Sequence, residues 1–344
     1  MSFDLPERPR RNRKSAALRA LTRETVLTPA DLIYPVFVQD TPQHEAIEAL
    51  PGLTRFGLSQ DADVQPFIDH LQQAHGLGIQ AVALFPKIDG ALKSPQGQES
   101  HNPEGLVPRA IRLVKQAIPT LAIVTDVALD PYSSIGHDGI ARDDIDPSSG
   151  ARVIDNDKTV EALCQQALSQ AQAGTDIVAP SDMMDGRVGA IRQTLDAHGY
   201  TDVSIMSYTA KYASAFYGPF RGALDSAPVD LKGIPKDKTT YQMDPANARE
   251  ALREASLDIA EGADIVMVKP AGAYLDIIQS LRASCDLPVA AYQVSGEYLM
   301  LQAAARSGYL DLKAGALESL LSIKRAGSDM ILTYLAPEAA RWLG

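Results

Sequence analysis

Apolar positions along this chain fall into two alternating rhythms. From Leu32 onward, short β-branched or apolar runs, each too brief for a helix, alternate with amphipathic stretches of helical length. The runs cover 32–38, 81–85, 121–127, 177–180, 203–208, 265–268, 289–293 and 330–333. Helices are predicted between them, for example over 159–173, 245–261 and 299–307. Gly174 and Gly262 stand just past two of the predicted ends, where a left-handed cap is needed. Eight β-then-α units over roughly 320 residues give about 40 residues per unit. That spacing suits a single (β/α)8 TIM barrel with insertions, within the α/β class, better than two doubly wound domains.

Before the first run the pattern breaks down. Residues 1–23 are basic and punctuated by proline, carry Arg8, Arg10, Arg11, Arg13 and Lys14, and show no alternation that would pack a strand; a helix can start near Ser15. This segment is read as an extended N-terminal arm, and 24–344 as the catalytic barrel. No apolar signal core follows the basic residues.

In such barrels chemistry gathers where the strands end. The residues at those positions are Phe85 to Lys87, Asp126, Ser181, Asp182, Tyr208 to Lys211, Lys269, Gln293 to Ser295 and Tyr334. Two long connections, 128–157 and 209–244, follow the third and fifth runs on the same face and are long enough to act as lids.

Composition narrows the chemistry. The net charge of −11 over 344 residues disfavours nucleic acid and anionic membranes as partners, and no stretch approaches the roughly 20 apolar residues of a membrane span. Two cysteines, Cys164 and Cys285, make neither a disulfide scaffold nor a metal motif, so a reducing, cytoplasmic location is expected. The six histidines are scattered and show no metal-ligand spacing.

Lys269 closes a buried apolar run, so its amine emerges at the barrel mouth. To act as a nucleophile near pH 7 it must fall about 3 units from roughly 10.4, which burial and a second ammonium can supply. Lys211, at the end of the neighbouring strand, is the natural second ammonium. The alternative is that each lysine merely pairs with a carboxylate such as Asp264 or Asp182. Asp126, Asp130 and Asp138 form an acidic cluster whose oxygens suit a hard cation or a substrate ammonium rather than zinc, unless they simply line a solvated loop. Arg221, with Lys238 and Gln242 farther along the same connection, can clamp a carboxylate. Ser295 and Tyr334 offer hydroxyls at two other strand ends. Asp126 joins the two lysines in the catalytic set, and Ser181 the substrate-binding set.

Several long segments, in order, resemble one family. Residues 126–139, 179–187, 208–221, 267–270 and 292–298 are similar to those of the porphobilinogen synthases, also called 5-aminolevulinate dehydratases, and the resemblance runs from Arg8 to about Ala336. It implies a lyase that condenses two molecules of 5-aminolevulinate into porphobilinogen, releasing two waters, as an early step of tetrapyrrole synthesis. Lys269 then forms the Schiff base on the propionate side (P side) and Lys211 that on the acetate side (A side). Ser295 and Tyr334 bind the P-side carboxylate; Arg221, Lys238 and Gln242 bind the A-side one.

Zinc-using relatives carry three cysteines where this chain has Ala128, Asp130 and Asp138. The resemblance is therefore to the aspartate-containing, magnesium-responsive type, with no catalytic zinc. Asp130 and Asp138 are expected to contact the A-side amino group, a monovalent cation or magnesium. Glu254 resembles the carboxylate of an allosteric magnesium site. No organic cofactor is implied. The expected assembly is a homo-octamer built through the N-terminal arm. Two rival readings remain at this level: another class I Schiff-base aldolase, or a non-catalytic binding barrel.

Overall fold

All eight apolar runs become parallel strands, β1 (Leu32–Gln39), β2 (Ala81–Lys87), β3 (Ala122–Val127), β4 (Ile177–Pro180), β5 (Ser204–Lys211), β6 (Ile265–Lys269), β7 (Val289–Gln293) and β8 (Met330–Thr333). Each pairs with the next, and β8 returns to β1 through Leu32 opposite Ile331 and Ile33 opposite Leu332, closing the barrel. The computed structural model describes residues 5–344, so the first four residues of the expected arm lie outside it.

The strands are apolar on both faces because both are covered. Val36, Val82, Leu84, Ile123, Val266 and Val268 point outward and pack under the helices. Phe37, Phe85, Val124, Met206, Tyr208, Met267, Tyr292 and Leu332 point inward and fill the barrel. The helices follow the predicted stretches with shifted starts: Asn156–Ala173, Arg249–Ala260 and Ser295–Arg306. The second begins late because the Asp244 carboxylate accepts the Ala246 N–H and holds a turn there.

Several strands run farther than their apolar runs. β2 continues to Lys87 because Gln39 of β1 lies opposite it, and β5 to Lys211 because Lys269 of β6 does. Lys211 is therefore the last residue of a strand, not part of the connection after it. Along this pair the register slips once. Val266 faces Ser207 but Val268 faces Ala210, so β5 holds one more residue than β6 over that stretch. Such a bulge reverses which face the following side chains take. Met206 and Tyr208 point inward, Ala210 points outward, and Lys211 is turned into the mouth.

The two long connections meet each other. The first contains an antiparallel hairpin, Ile140–Ile145 with Arg152–Asp155, where the sequence indicated only a long connection. Arg152 N–H donates to the Gly233 carbonyl at 2.9 Å, Val229 N–H to Ile135 at 3.2 Å, and His137 Nε2 to Pro235 at 2.9 Å. The N-terminal segment forms a 3-10 turn (Pro9–Arg13) and a short helix (Ala16–Leu21) capped by Ser15, neither with a buried residue. Among the described residues no helix is long and apolar enough to cross a membrane.

Candidate active site

Lys269 ends β6 with its side chain buried in aromatic rings. Its Nζ lies 4.6 Å from the ring centre of Tyr292, 5.0 Å from Phe220, 5.1 Å from Tyr208 and 5.3 Å from Tyr217. Two of these rings come from strands and two from the connection after β5. The rings attract a cation only weakly compared with a carboxylate, and no ion-pair partner of Lys269 is present among the described residues. Burial, and after it the Lys211 ammonium, push the Lys269 amine down to about 7. An amine with that value is substantially neutral, and hence nucleophilic, near pH 7.

Lys211 has the opposite surroundings. Its Nζ lies 3.4 Å from Asp138 Oδ1 and donates to the Ser181 carbonyl oxygen. Asp138 is fully buried and its Oδ2 also lies 2.8 Å from Lys238 Nζ as an ion pair, while Lys238 donates to Asp130 at 3.2 Å. Burial opposes ionisation of Asp138, yet Lys211 and Lys238 overcome it and hold the carboxyl well below its usual range. For Lys238 burial is likewise outweighed, by Asp130 and Asp138, and its ammonium is held more firmly than usual. The Tyr241 hydroxyl braces this arrangement, accepting the Asp138 N–H at 3.3 Å and meeting His137 Nδ1 at 2.9 Å.

Asp126 stands between the two lysines electrostatically and keeps part of its surface open. Burial pushes its carboxyl up to about 6, against the pull of Lys211; Asp130 adds to the rise, while Lys269 and a hydrogen bond from Ser181 oppose it. A carboxyl and an amine near 6 and 7 can exchange a proton at little cost, as general acid–base work requires.

The remaining predicted residues are distributed around the mouth. Ser295 is fully buried; its hydroxyl accepts the Phe220 N–H at 3.1 Å and donates to the Phe216 carbonyl at 3.2 Å, which fastens the connection after β5 onto the end of β7. The Tyr334 hydroxyl lies 2.9 Å from that of Tyr292, and its ring stacks on Phe37. Gln242 is buried with its carbonyl oxygen unpartnered among the described residues. Arg221 is half-buried, with its guanidinium 5.9 Å from the Tyr217 ring centre.

Glu254 lies apart, half-buried on the helix Arg249–Ala260, where burial raises its carboxyl against the pull of Arg187. Asp182 and Asp264 do not serve the lysines as ion-pair partners. Asp182 faces Arg187 at 3.7 Å, and Asp264 accepts the Ile205 N–H at 2.7 Å.

Sequence reasoning missed the aromatic enclosure of Lys269 and the Tyr241–His137 brace. Tyr217 and Phe220 sit six and nine residues beyond Lys211, in a short helical stretch that folds back over the mouth. The only signal was the aromatic rings within 215–220, early in the connection after β5.

A closed parallel barrel, with two lysines and several carboxylates gathered at the ends of its strands, defines a (β/α)8 barrel enzyme. A family profile for delta-aminolevulinic acid dehydratase matches residues 6–342. The chain belongs to the delta-aminolevulinic acid dehydratase family. It is 59% identical over 98% of its length to the chloroplastic delta-aminolevulinic acid dehydratase of the moss Physcomitrium patens, covering 74% of that protein. It is 55% identical over 99% to the chloroplastic enzyme of Glycine max, covering 79%, and 53% identical over 99% to that of Chlamydomonas reinhardtii, covering 85%. The crystal structure of the Toxoplasma gondii enzyme in complex with the reaction product porphobilinogen superposes with a TM-score of 0.92 at 51% identity, covering 99% of this chain and 92% of that one.

The moss, soybean and algal names overturn the cytoplasmic location expected from the cysteine content and point to a plastid. Two free, half-buried thiols speak for a reducing compartment but cannot choose among compartments of that kind.

Proposed function

We propose that this lyase, a porphobilinogen synthase, works through Schiff bases at Lys269 and Lys211, one for each 5-aminolevulinate. The observation that carries the reading is the contrast between the two amines: Lys269 enclosed by rings and pushed down to about 7, Lys211 held by Asp138. A neutral Lys269 amine adds to the ketone of the first substrate, and loss of water leaves an iminium that acidifies the neighbouring carbon. Lys211 receives the second ketone. The carbon–carbon and carbon–nitrogen bonds then form, both lysines are released, and two waters have left in total. Asp126, near 6, takes and returns protons beside both amines. The rings of Tyr217 and Phe220 exclude water from the iminium.

Tyr334 and Ser295, close to the Lys269 rings, serve the P-side carboxylate, Ser295 by turning its one proton away from the Phe216 carbonyl, and Arg221, Lys238 and Gln242 serve the A-side one. The paired ammonium of Lys238 must share Asp130 and Asp138 with an incoming substrate, and Gln242 meets the carboxylate through its amide N–H, since its oxygen can only accept. A substrate ammonium fits beside those carboxylates.

The donor set Ala128, Asp130 and Asp138 supplies no thiolate, and both carboxylates already hold Lys238, which supports a non-zinc enzyme. Magnesium keeps most of its waters and needs only one or two carboxylates. Glu254, near Asp258, Asp185 and Glu250 but also pulled on by Arg187, would offer such an ion a single carboxylate, since the described residues gather no group of three or more metal ligands, and its help would be allosteric rather than chemical. Leu21, 81% exposed, and the basic arm around it suit packing against another copy of this acidic chain, as in an octamer.

The deciding experiment is reduction with borohydride in the presence of 5-aminolevulinate, followed by peptide mapping. Adducts are expected on Lys269 and, at higher substrate, on Lys211. Folded protein that gains an adduct on neither lysine overturns the Schiff-base reading. An adduct on Lys269 with full activity in Lys211→Ala would favour a one-lysine aldolase.

A further inference from the structure

Three consecutive residues, Ser295, Gly296 and Glu297, begin the helix after β7, and only the first has a role so far. Glu297 is 7% exposed, yet among the described residues it has no lysine or arginine partner. Its carboxylate instead accepts three backbone N–H groups: Gly272 at 2.6 Å, Val294 at 2.7 Å and Ala271 at 3.4 Å. Two of these belong to the turn that directly follows Lys269 and Pro270, and the third to the residue before Ser295. Burial raises the Glu297 carboxyl while these N–H groups oppose the rise.

The glycines around it are shaped for this contact. A Cβ on Gly272 would lie 2.5 Å from Glu297 Oε1, so only glycine lets the turn approach the carboxylate. A Cβ on Gly296 would lie 2.7 Å from the Phe216 carbonyl, so only glycine lets the lid settle against the start of the helix. The same three residues therefore grip the lid on one side and the Lys269 turn on the other.

We propose that Glu297 is a positioning residue for Lys269, tying the turn after the nucleophile to the Ser295 latch so that the amine meets the closed lid in one fixed geometry. The inference rests on the Schiff-base reading above. An ionised carboxylate, which only accepts, suits three donors. A glutamine would aim its own NH₂ at the N–H of Gly272 or Val294 and expel one of them.

The test compares the unaltered enzyme with Glu297→Gln, Glu297→Asp and Gly272→Ala, all as the full chain. Melting temperature and assembly size are recorded, together with kcat, KM and the rates of borohydride trapping on Lys269 and Lys211 separately. For Glu297→Gln and Gly272→Ala, kcat should fall roughly tenfold or more with KM little changed. Trapping on Lys269 should slow by a similar factor and trapping on Lys211 should hold its rate, with partial recovery in Glu297→Asp. Gly272→Ala keeps the buried carboxylate, so it answers the question even if Glu297→Gln does not fold. Wild-type trapping on Lys269 in the folded variants, or equal slowing at both lysines, overturns the positioning role while leaving the Schiff-base reading intact. Absence of any Lys269 adduct in the unaltered enzyme overturns both.

Discussion

Lys269 and Lys211 lie directly opposite each other at the ends of β6 and β5, and one extra residue in β5 is what turns Lys211 to the inside. Two ammonium groups in one apolar mouth repel each other, and the fold resolves this unequally. Lys211 is given Asp138, whereas Lys269 is given four rings. Burial, and after it the neighbouring Lys211, lower the Lys269 amine.

The pH dependence of trapping follows. With Lys269 down at about 7, about a tenth of it is neutral at pH 6 and half at pH 7, so the adduct rate should rise about fivefold over that unit and level off above pH 8. A midpoint near 10 would refute the assignment. Because the unfolded lysine binds its proton more tightly, this group makes stability rise from about pH 7 toward 10, and Lys269→Met should raise Tm at neutral pH while abolishing activity. Thermal melts at pH 6, 7 and 9 check this.

Asp126→Asn removes the carboxyl lifted to about 6 and should lower kcat at least about a hundredfold. The limb of the pH–rate profile near 6 should vanish from any residual activity, leaving the one near 7. The two groups interact, so the wild-type profile belongs to the pair. A variant that keeps both limbs would assign the lower one elsewhere.

Asp138→Ala leaves Lys211 and Lys238 buried without their shared carboxylate, a change of about 3–5 kcal/mol in stability. Since Asp138 is held well below its unfolded value, its contribution is present above about pH 4 and lost as pH falls farther. The variant's deficit, read by denaturant unfolding, should therefore be constant from pH 5 to 8. A deficit below 1 kcal/mol would show that Asp130 and the Ser181 carbonyl suffice for the two ammonium groups.

Ser295→Ala breaks both latch bonds and strands the Phe220 N–H, at about 1–3 kcal/mol in lid closure. KM should rise several-fold, and proteolysis within 214–240 should quicken without a matching fall in Tm. Unchanged proteolysis would mean the lid is held by its rings alone.

For the metal question, a zinc-selective chelator should leave activity intact, and Glu254→Ala should lose stimulation by magnesium with its Schiff-base trapping unaltered. Zinc dependence, or an unchanged magnesium response, would overturn the corresponding proposal. Deleting 1–23 should reduce the assembly size in sedimentation; an unchanged octamer would exclude the arm from assembly.

Much of the barrel was legible because eight runs of apolar residues, spaced about 40 apart, have few other ways to be buried on both faces. The lysines were legible for the same reason: a charge ending a buried run must emerge at the mouth. Strand lengths were not, since Lys87 and Lys211 are polar and join their strands only through the pairing opposite them. The hairpin at 140–155 escaped notice because its strands are largely exposed and charged, with no alternation to mark them. Subcellular location was beyond the reach of two cysteines.

What the sequence determined by itself is local and periodic: strand and helix order, the closed-barrel count, the candidate amines and acids, and the family. Tertiary structure alone decided which partner each charge received. The β5 bulge, the pairing of Asp138 with Lys211 and Lys238 across 73 and 100 residues of chain, and the folding of Tyr217 and Phe220 over Lys269 depend on contacts distant in sequence. A pKa is set by burial and by neighbouring charges, and both exist only once the chain has closed.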